Sequence, residues 1–197
     1  MKIKRVLIEN FRSLERVEFA VGDFNVFVGR NNNGKTNLLE ALEWFYAPSG
    51  NLQEIKYAKA PEGAEVVVEV EFDGAQDGIA SISNEDNQKK LRNLIGGRDA
   101  LRVRRTSTDP RNRYIFVEDA GRWQKQPTGV DSAFNNCIPR FEFILTDKSL
   151  KEVSAFKANT PIGQMLLPHP GAAAAAGRRW PHRQFLQRPD PLRLSGL

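Results

Sequence analysis

Gly29, Gly34, Lys35 and Thr36 stand in the spacing G-x-x-x-x-G-K-T within NVFVGRNNNGKTNLLEALEWF, residues 25–45. That spacing suits the capture of phosphate. Glycine puts no side chain between backbone and anion, and Gly34 can take positive φ without strain. Asn31, Asn32 and Asn33 tolerate left-handed geometry better than most residues. Such a loop turns its N–H groups inward as an anion nest at the positive end of the helix that follows. Lys35 is then expected to reach the β- and γ-phosphates of a nucleotide, and the Thr36 hydroxyl to ligate Mg²⁺. The competing reading, a glycine turn that only packs a helix on a sheet, leaves Lys35-Thr36 unexplained.

The loop needs a strand before it and a helix after it. Val26, Phe27 and Val28 form a short apolar run of the kind that fills a buried strand. Leu38, Ala41, Leu42 and Phe45 recur at i, i+3, i+4 and i+7, one face of a helix, with Glu40 and Glu43 off that face. Upstream, alternation over Ile3–Glu9 and the run Leu14–Ala20 predict two strands broken at Asn10-Phe11-Arg12-Ser13. Two strands followed by strand, loop and helix predict an α/β fold with a mixed sheet rather than simple alternation.

A chain of 197 residues is expected to hold one domain of ordinary size with an appendage. No apolar run approaches the length of a membrane span, so no membrane partner is expected. The N-terminus reads as a strand, not a signal peptide. The single Cys137 excludes an internal disulfide and fits a reducing, cytoplasmic compartment; it reads as a small buried apolar residue rather than a nucleophile. Residues 1–167 hold 24 Lys+Arg against 23 Asp+Glu, whereas residues 168–197 hold five Arg, no Lys and one Asp. The net charge of +5 therefore belongs almost wholly to the tail and argues little for DNA binding by the rest.

Downstream of the helix, Pro48-Ser49-Gly50 is a stop, and residues 51–63 read as a surface loop or short helix. Glu65–Phe72 predicts a half-buried strand with Val66, Val68, Val70 and Phe72 on one face. Asn84–Ile95 predicts a helix stopped by Gly96-Gly97. Leu101–Thr106 predicts a strand whose Arg102 and Arg104 share a side, near Arg105, Arg111 and Arg113. These arginines read either as a track for DNA phosphates or as a solvated strand face diluted by Glu and Asp, the second being favoured. Tyr114–Val117 and Gly121–Gln124 predict a hairpin, so Ile115–Asp119 is disfavoured as an apolar run ending in a Mg²⁺-holding acid. Ile138–Leu145 reads as a strand and Ser149–Ala158 as a helix start.

The run I-E-N-F-R-S-L, residues 8–14, and then F-N-V-F-V-G-R-N-N-N-G-K-T-N-L-L-E-A-L, residues 24–42, resemble the opening of ABC-type ATPases of the SMC/RecF-like class. More narrowly they resemble the OLD family (overcoming lysogenization defect) of ATP-dependent nucleases. Asn37 after the Thr, the L-L-E-A-L helix and Trp44-Phe45 favour that branch. The resemblance is strong over residues 1–46 and weaker to about residue 167. It implies a P-loop NTPase of ABC/SMC type binding ATP and Mg²⁺, an ATP-driven homodimer, and action on DNA in repair or phage defence. It places Gly29, Asn31, Asn32, Asn33, Gly34, Lys35, Thr36 and Asn37 at the nucleotide. It also brings Arg12, in the N-F-R-S position, toward that nucleotide; a solvated turn arginine is the alternative. Gln124 and Gln126 are candidates for a γ-phosphate-sensing glutamine, with nothing in the sequence to fix the role.

From Leu167 the character changes to LPHPGAAAAAGRRWPHRQFLQRPDPLRLSGL, with five prolines and five consecutive alanines and no amphipathic period. His169 and His182 lack the spacing of a metal site. The expected division is residues 1–167 as an N-terminal ATPase lobe and 168–197 as a tail that is disordered, frame-shifted, or an Arg-rich nucleic-acid contact. No L-S-x-G signature opens a helix, Leu194-Ser195-Gly196 being the nearest text, and no Asp-Glu pair, switch histidine or metal-binding carboxylate cluster is visible. The expectation is an incomplete first lobe that binds nucleotide with negligible hydrolysis on its own. A RecF-like repair ATPase fragment and a non-catalytic nucleotide- or DNA-binding module are the alternatives.

Overall fold

The computed structural model describes residues 1–143. Strand β1 (Lys2–Phe11) turns back into β2 (Leu14–Ala20), and an irregular stretch leads to helix α1 (Lys35–Tyr46). A short α2 (Leu52–Ile55) precedes β3 (Val67–Asp73), α3 (Ala75–Ala80) and α4 (Glu85–Ile95). Strands β4 (Leu101–Thr106), β5 (Tyr114–Val117) and β6 (Arg122–Lys125) follow, then α5 (Asp131–Cys137). The strands form one six-stranded sheet in the order β2-β1-β3-β4-β5-β6. The α/β class read from the sequence holds, but the mixed sheet does not: every described pairing is antiparallel, and the run before α1 that was expected to enter the sheet forms no strand.

Strand alternation sorts the two faces of this sheet. Val6 and Ile8, then Val68, Val70 and Phe72, then Val103 and Ile115, are buried on the face that packs against the helices. Leu38, Ala41, Leu42 and Phe45 of α1 complete that core, as the helical spacing requires, and Phe45 meets Phe72 at 6.2 Å between ring centroids. Trp44, off that stripe, is buried against Phe11 instead. Truncating a fully buried ring such as Phe45 to alanine costs about 3–5 kcal/mol.

The opposite face is a belt of ion pairs. Arg5 on β1 donates to Glu18 on β2 at 2.6 Å and to Glu71 and Glu69 on β3 at 3.1 and 3.2 Å. Glu69 also accepts twice from Arg102, at 3.0 and 2.8 Å. Arg102 lies 4.5 Å from the Phe116 ring centroid, and Arg104 lies 4.4 Å from that of Trp123. The β4 arginines expected on a solvated face are thus engaged with a carboxylate and aromatic rings, where charge and ring quadrupole hold them in place.

Several sequence expectations change here. The strand expected at Val26–Val28 is absent: Gly22–Asn33 lie outside the sheet, with Val26 65% and Val28 90% exposed. An apolar run becomes a buried strand only beside a partner, and both edges of β1 are already taken by β2 and β3. Phe27 alone finds a neighbour, meeting Phe19 edge-on at 5.2 Å. The strand expected over Ile138–Leu145 is not formed in its described part. Ile138 donates its N–H to Phe134 as the end of α5, and Pro139 then has no N–H to give a ladder. Residues 144–145, the helix expected over Ser149–Ala158 and the boundary at 167/168 lie outside the described residues. Cys137 is buried, which pushes its thiol pKa up and leaves it in the apolar role expected of it.

Candidate phosphate-binding site

The site forms where the β1–β2 turn meets the start of α1. Gly34 caps the helix in the left-handed region, at φ 80 and ψ 7, and Asn32 before it also has positive φ, at 66. The glycine is required twice over. Beyond its φ, a Cβ at this position would lie 2.8 Å from Ser13 Oγ and 2.9 Å from Leu14 Cδ2. The Asn33 N–H returns to the Arg30 carbonyl at 3.3 Å, and the Leu38 N–H to the Gly34 carbonyl at 3.2 Å. The cap has no side chain to accept from the first turn, and that turn carries no acidic residue. The positive end of the α1 dipole therefore faces outward without local compensation.

An open cavity of about 380 Å³ lies over this helix end, lined by Ser13, Asn31, Asn32, Gly34, Lys35, Thr36 and Asn37. The Lys35 ammonium arches back over the loop and donates to the Gly29 and Arg30 carbonyls, both at 2.7 Å. Thr36 is exposed beside it. Asn37 donates its amide to Ser13 Oγ at 2.7 Å, tying the helix to the turn between β1 and β2. The structure thus brings together all of the expected set from Asn31 to Asn37 except Asn33, which lies in the same loop. Gly29 meets the set through Lys35. Together they offer an ammonium, hydroxyls, amides and helix N–H groups, a donor set suited to phosphate. Among the described residues no group of three or more His, Cys, Asp and Glu could hold a metal ion.

Arg12 is placed next to the cavity rather than in it. Its guanidinium pairs with Glu40 on α1 at 2.6 Å, and its side chain lines a neighbouring cleft with Lys56, Tyr57 and Lys59. Ser13 and Asn37 belong to both hollows. Ser13 is the residue that sequence reasoning missed. It sits in the quoted N-F-R-S run, but nothing in its spacing says that the turn will fold onto residues 34–37. Arg105 and Arg113, grouped in the sequence with a DNA-phosphate track or a solvated strand face, are placed in neither. Both are buried, at 2% and 1% exposure, and they meet the last carbonyls of α1. Arg105 Nε donates to Phe45 at 2.9 Å, and Arg113 donates to Tyr46 at 3.0 Å and to Asn135 at 2.7 Å. Burial first, and then the neighbouring Arg113 charge, push the Arg105 pKa down to about 10. Gln126 is buried directly after β6, its N–H donated to the Arg113 carbonyl at 3.0 Å, and does not line the cavity.

Comparison with known proteins identifies the family and the fold. The model of the AAA ATPase domain matches residues 1–157. The Old nuclease of Escherichia phage P2 is 28% identical over 171 residues, which cover 84% of this chain and 29% of the nuclease. The DNA replication and repair protein RecF of Heliobacterium modesticaldum is 24% identical over 185 residues, covering 80% of this chain and 47% of RecF. The chain therefore spans less than half the length of these relatives. Among solved structures, one from work on ATP-driven dimerization and DNA-stimulated activation of SMC ATPases aligns at a TM-score of 0.52 and 16% identity. That alignment covers 85% of this chain and 97% of the other, a likeness of fold.

Proposed function

The chain belongs to the AAA ATPase domain family, and on that premise we propose that it is the ATP-binding lobe of a DNA-processing ATPase. The observation that carries this reading is the convergence of Lys35, Thr36 and three asparagines on one cavity at the uncompensated positive end of α1. Phosphate oxygens in that cavity would compete with the Gly29 and Arg30 carbonyls for the Lys35 ammonium. In nucleotide-binding loops of this pattern the Ser or Thr after the lysine holds Mg²⁺ beside the substrate phosphates, and Thr36 is the residue assigned to it. When bound, the metal neutralises phosphate charge; the chain's own contribution is to hold and orient. Gly29, Asn31, Asn32, Asn33, Gly34, Lys35, Thr36 and Asn37 form the nucleotide set, with Arg12 at its margin. The lobe is assigned to residues 1–167, supported by the composition change after Leu167.

In the whole protein we assign DNA as the macromolecular partner, because relatives named a nuclease and a DNA replication and repair protein share this lobe, and an ATP-driven homodimer as the working state, the structural neighbour coming from work on ATP-driven dimerization. A RecF-like repair ATPase is the second reading, favoured by a RecF alignment that reaches 80% of the chain. Arg102 and Arg104 receive no DNA role, being engaged with Glu69 and Trp123. The test is thermal unfolding of the 197-residue chain with and without MgATP, alongside Lys35→Ala. At a ligand concentration a hundred times Kd the parent gains about 2.7 kcal/mol, and the variant gains nothing. Equal stabilisation of both proteins sinks the assignment. Phosphate release should stay at background, and sustained turnover by the isolated chain would refute its reading as a binding lobe only.

A further inference from the structure

We propose that Ser13, outside the G-x-x-x-x-G-K-T motif, is a phosphate ligand of the site, donating its hydroxyl proton to the nucleotide. The inference rests on the nucleotide reading of the cavity and names a contact which that reading did not include. Ser13 is exposed, and its side chain lines the same cavity as Lys35 and Thr36. A serine hydroxyl has one proton to give and two lone pairs to accept with. Asn37 fills one lone pair at 2.7 Å, which fixes the oxygen and leaves its proton to be given elsewhere. The oxygen is also near the glycine of the motif, 2.8 Å from where a Gly34 Cβ would stand. A phosphate reached by the Gly34–Thr36 backbone is therefore within the neighbourhood of this hydroxyl.

The turn that carries Ser13 is built to hold it there. Asn10 and Arg12 both have positive φ, at 56 and 50, a region that costs non-glycine residues energy and persists only where the surroundings impose it. Those surroundings are specific. The Arg12 N–H donates to Ile55 at 2.6 Å, the Tyr57 N–H to Asn10 at 2.8 Å, and the Asn10 amide to Glu65 at 2.9 Å. Arg12 itself is held by Glu40 of the same helix whose first turn forms the site. The assignment shifts the contact expected of Arg12 by one residue: Arg12 secures the turn, and Ser13 faces the ligand.

The experiment is a fluorescence titration of the 197-residue chain with Mg²⁺ and an N-methylanthraniloyl ATP, comparing parent, Lys35→Ala and Ser13→Ala. A hydrogen bond to a charged group predicts that Ser13→Ala raises Kd by about tenfold or more, with a melting temperature lowered only by the few degrees that loss of the Asn37 bond costs. Nucleotide binding that needs Lys35 but is unchanged by Ser13→Ala overturns the Ser13 assignment alone. Binding that does not need Lys35 overturns the nucleotide reading and this inference together. Hydrogen exchange on the unmodified chain gives a readout that does not depend on the variant folding. MgATP should slow exchange at residues 10–14, and unchanged exchange there with protection of residues 34–37 overturns the contact.

Discussion

Gly34→Ala is the sharpest test of how the phosphate-binding loop is built, because two separate costs meet at one atom. The first is conformational: Gly34 sits at φ 80, where an L side chain costs about 1–2 kcal/mol. The second is steric. The new methyl would lie 2.8 Å from Ser13 Oγ and 2.9 Å from Leu14 Cδ2. Leu14 is buried in the core and has little room to retreat, so Ser13 must move and give up its bond from Asn37. One lost side-chain hydrogen bond adds about 0.5–1.5 kcal/mol. The sum is about 2–3 kcal/mol, which for a domain of this size lowers Tm by about 5–10 °C.

Gly50→Ala isolates the first cost. Gly50 also has positive φ, at 87, but a Cβ there meets nothing within 4 Å. Scanning calorimetry of the two variants should therefore separate strain from collision, with Gly50→Ala losing about 3–6 °C and Gly34→Ala clearly more. Gly29→Ala supplies the other limit, since a Cβ there would touch only Lys35 Cδ at 4.0 Å. If Gly34→Ala melts with Gly50→Ala and binds MgATP as the parent does, the packing of the β1–β2 turn onto the loop has been misread.

Two further outcomes follow from the structure. Arg113→Ala should destabilise by about 3 kcal/mol or more, because it empties a buried site between Phe45 and Phe134 and strands the Tyr46 carbonyl; a urea midpoint within error of the parent's would count against it. The Asp109 carboxyl is held down to about 2 by hydrogen bonds from Asn112, Lys125 and Tyr114. An acid with a depressed folded pKa stabilises above its unfolded value of about 3.9 and loses that stabilisation as pH falls toward 2. The stability gap between parent and Asp109→Asn should thus be flat near neutrality and close between about pH 4 and pH 2. A gap constant across that range would refute the assignment.

What was legible in the sequence was what the chain settles locally. Asn84 accepts from the Asn87 N–H at 2.9 Å as the cap of α4, and Gly96 ends that helix at φ 64, both where the residue types said a helix should start and stop. Val66, Val68, Val70 and Phe72 share a buried face because a strand has period two. The Tyr114–Lys125 hairpin follows from its own turn residues. Val26–Val28 was misread because an apolar run specifies burial, whereas a strand also needs a neighbour that the run does not encode. Arg105 shows the reverse failure. Alternation puts it on the same face as Val103, the core face, yet its charge argued for solvent. What accommodates it is the Phe45 carbonyl of a helix sixty residues earlier in the chain, together with the Pro110 carbonyl five residues later.

That accommodation also bears on the site. The last turn of α1 contains no basic residue of its own, so the negative end of its dipole is met from outside, by Arg105 and Arg113 of the β4–β5 region. The first turn is fixed by a different partner, the Ser13–Asn37 contact with the β1–β2 turn. The helix of the phosphate-binding motif is therefore pinned at both ends by residues outside the motif. Lys35 and Thr36 supply the chemistry, but where they stand is decided by Ser13 at one end and two buried arginines at the other. A site assembled in this way can lose its geometry through a substitution at residue 105 or 113 while every residue of the G-x-x-x-x-G-K-T pattern is intact.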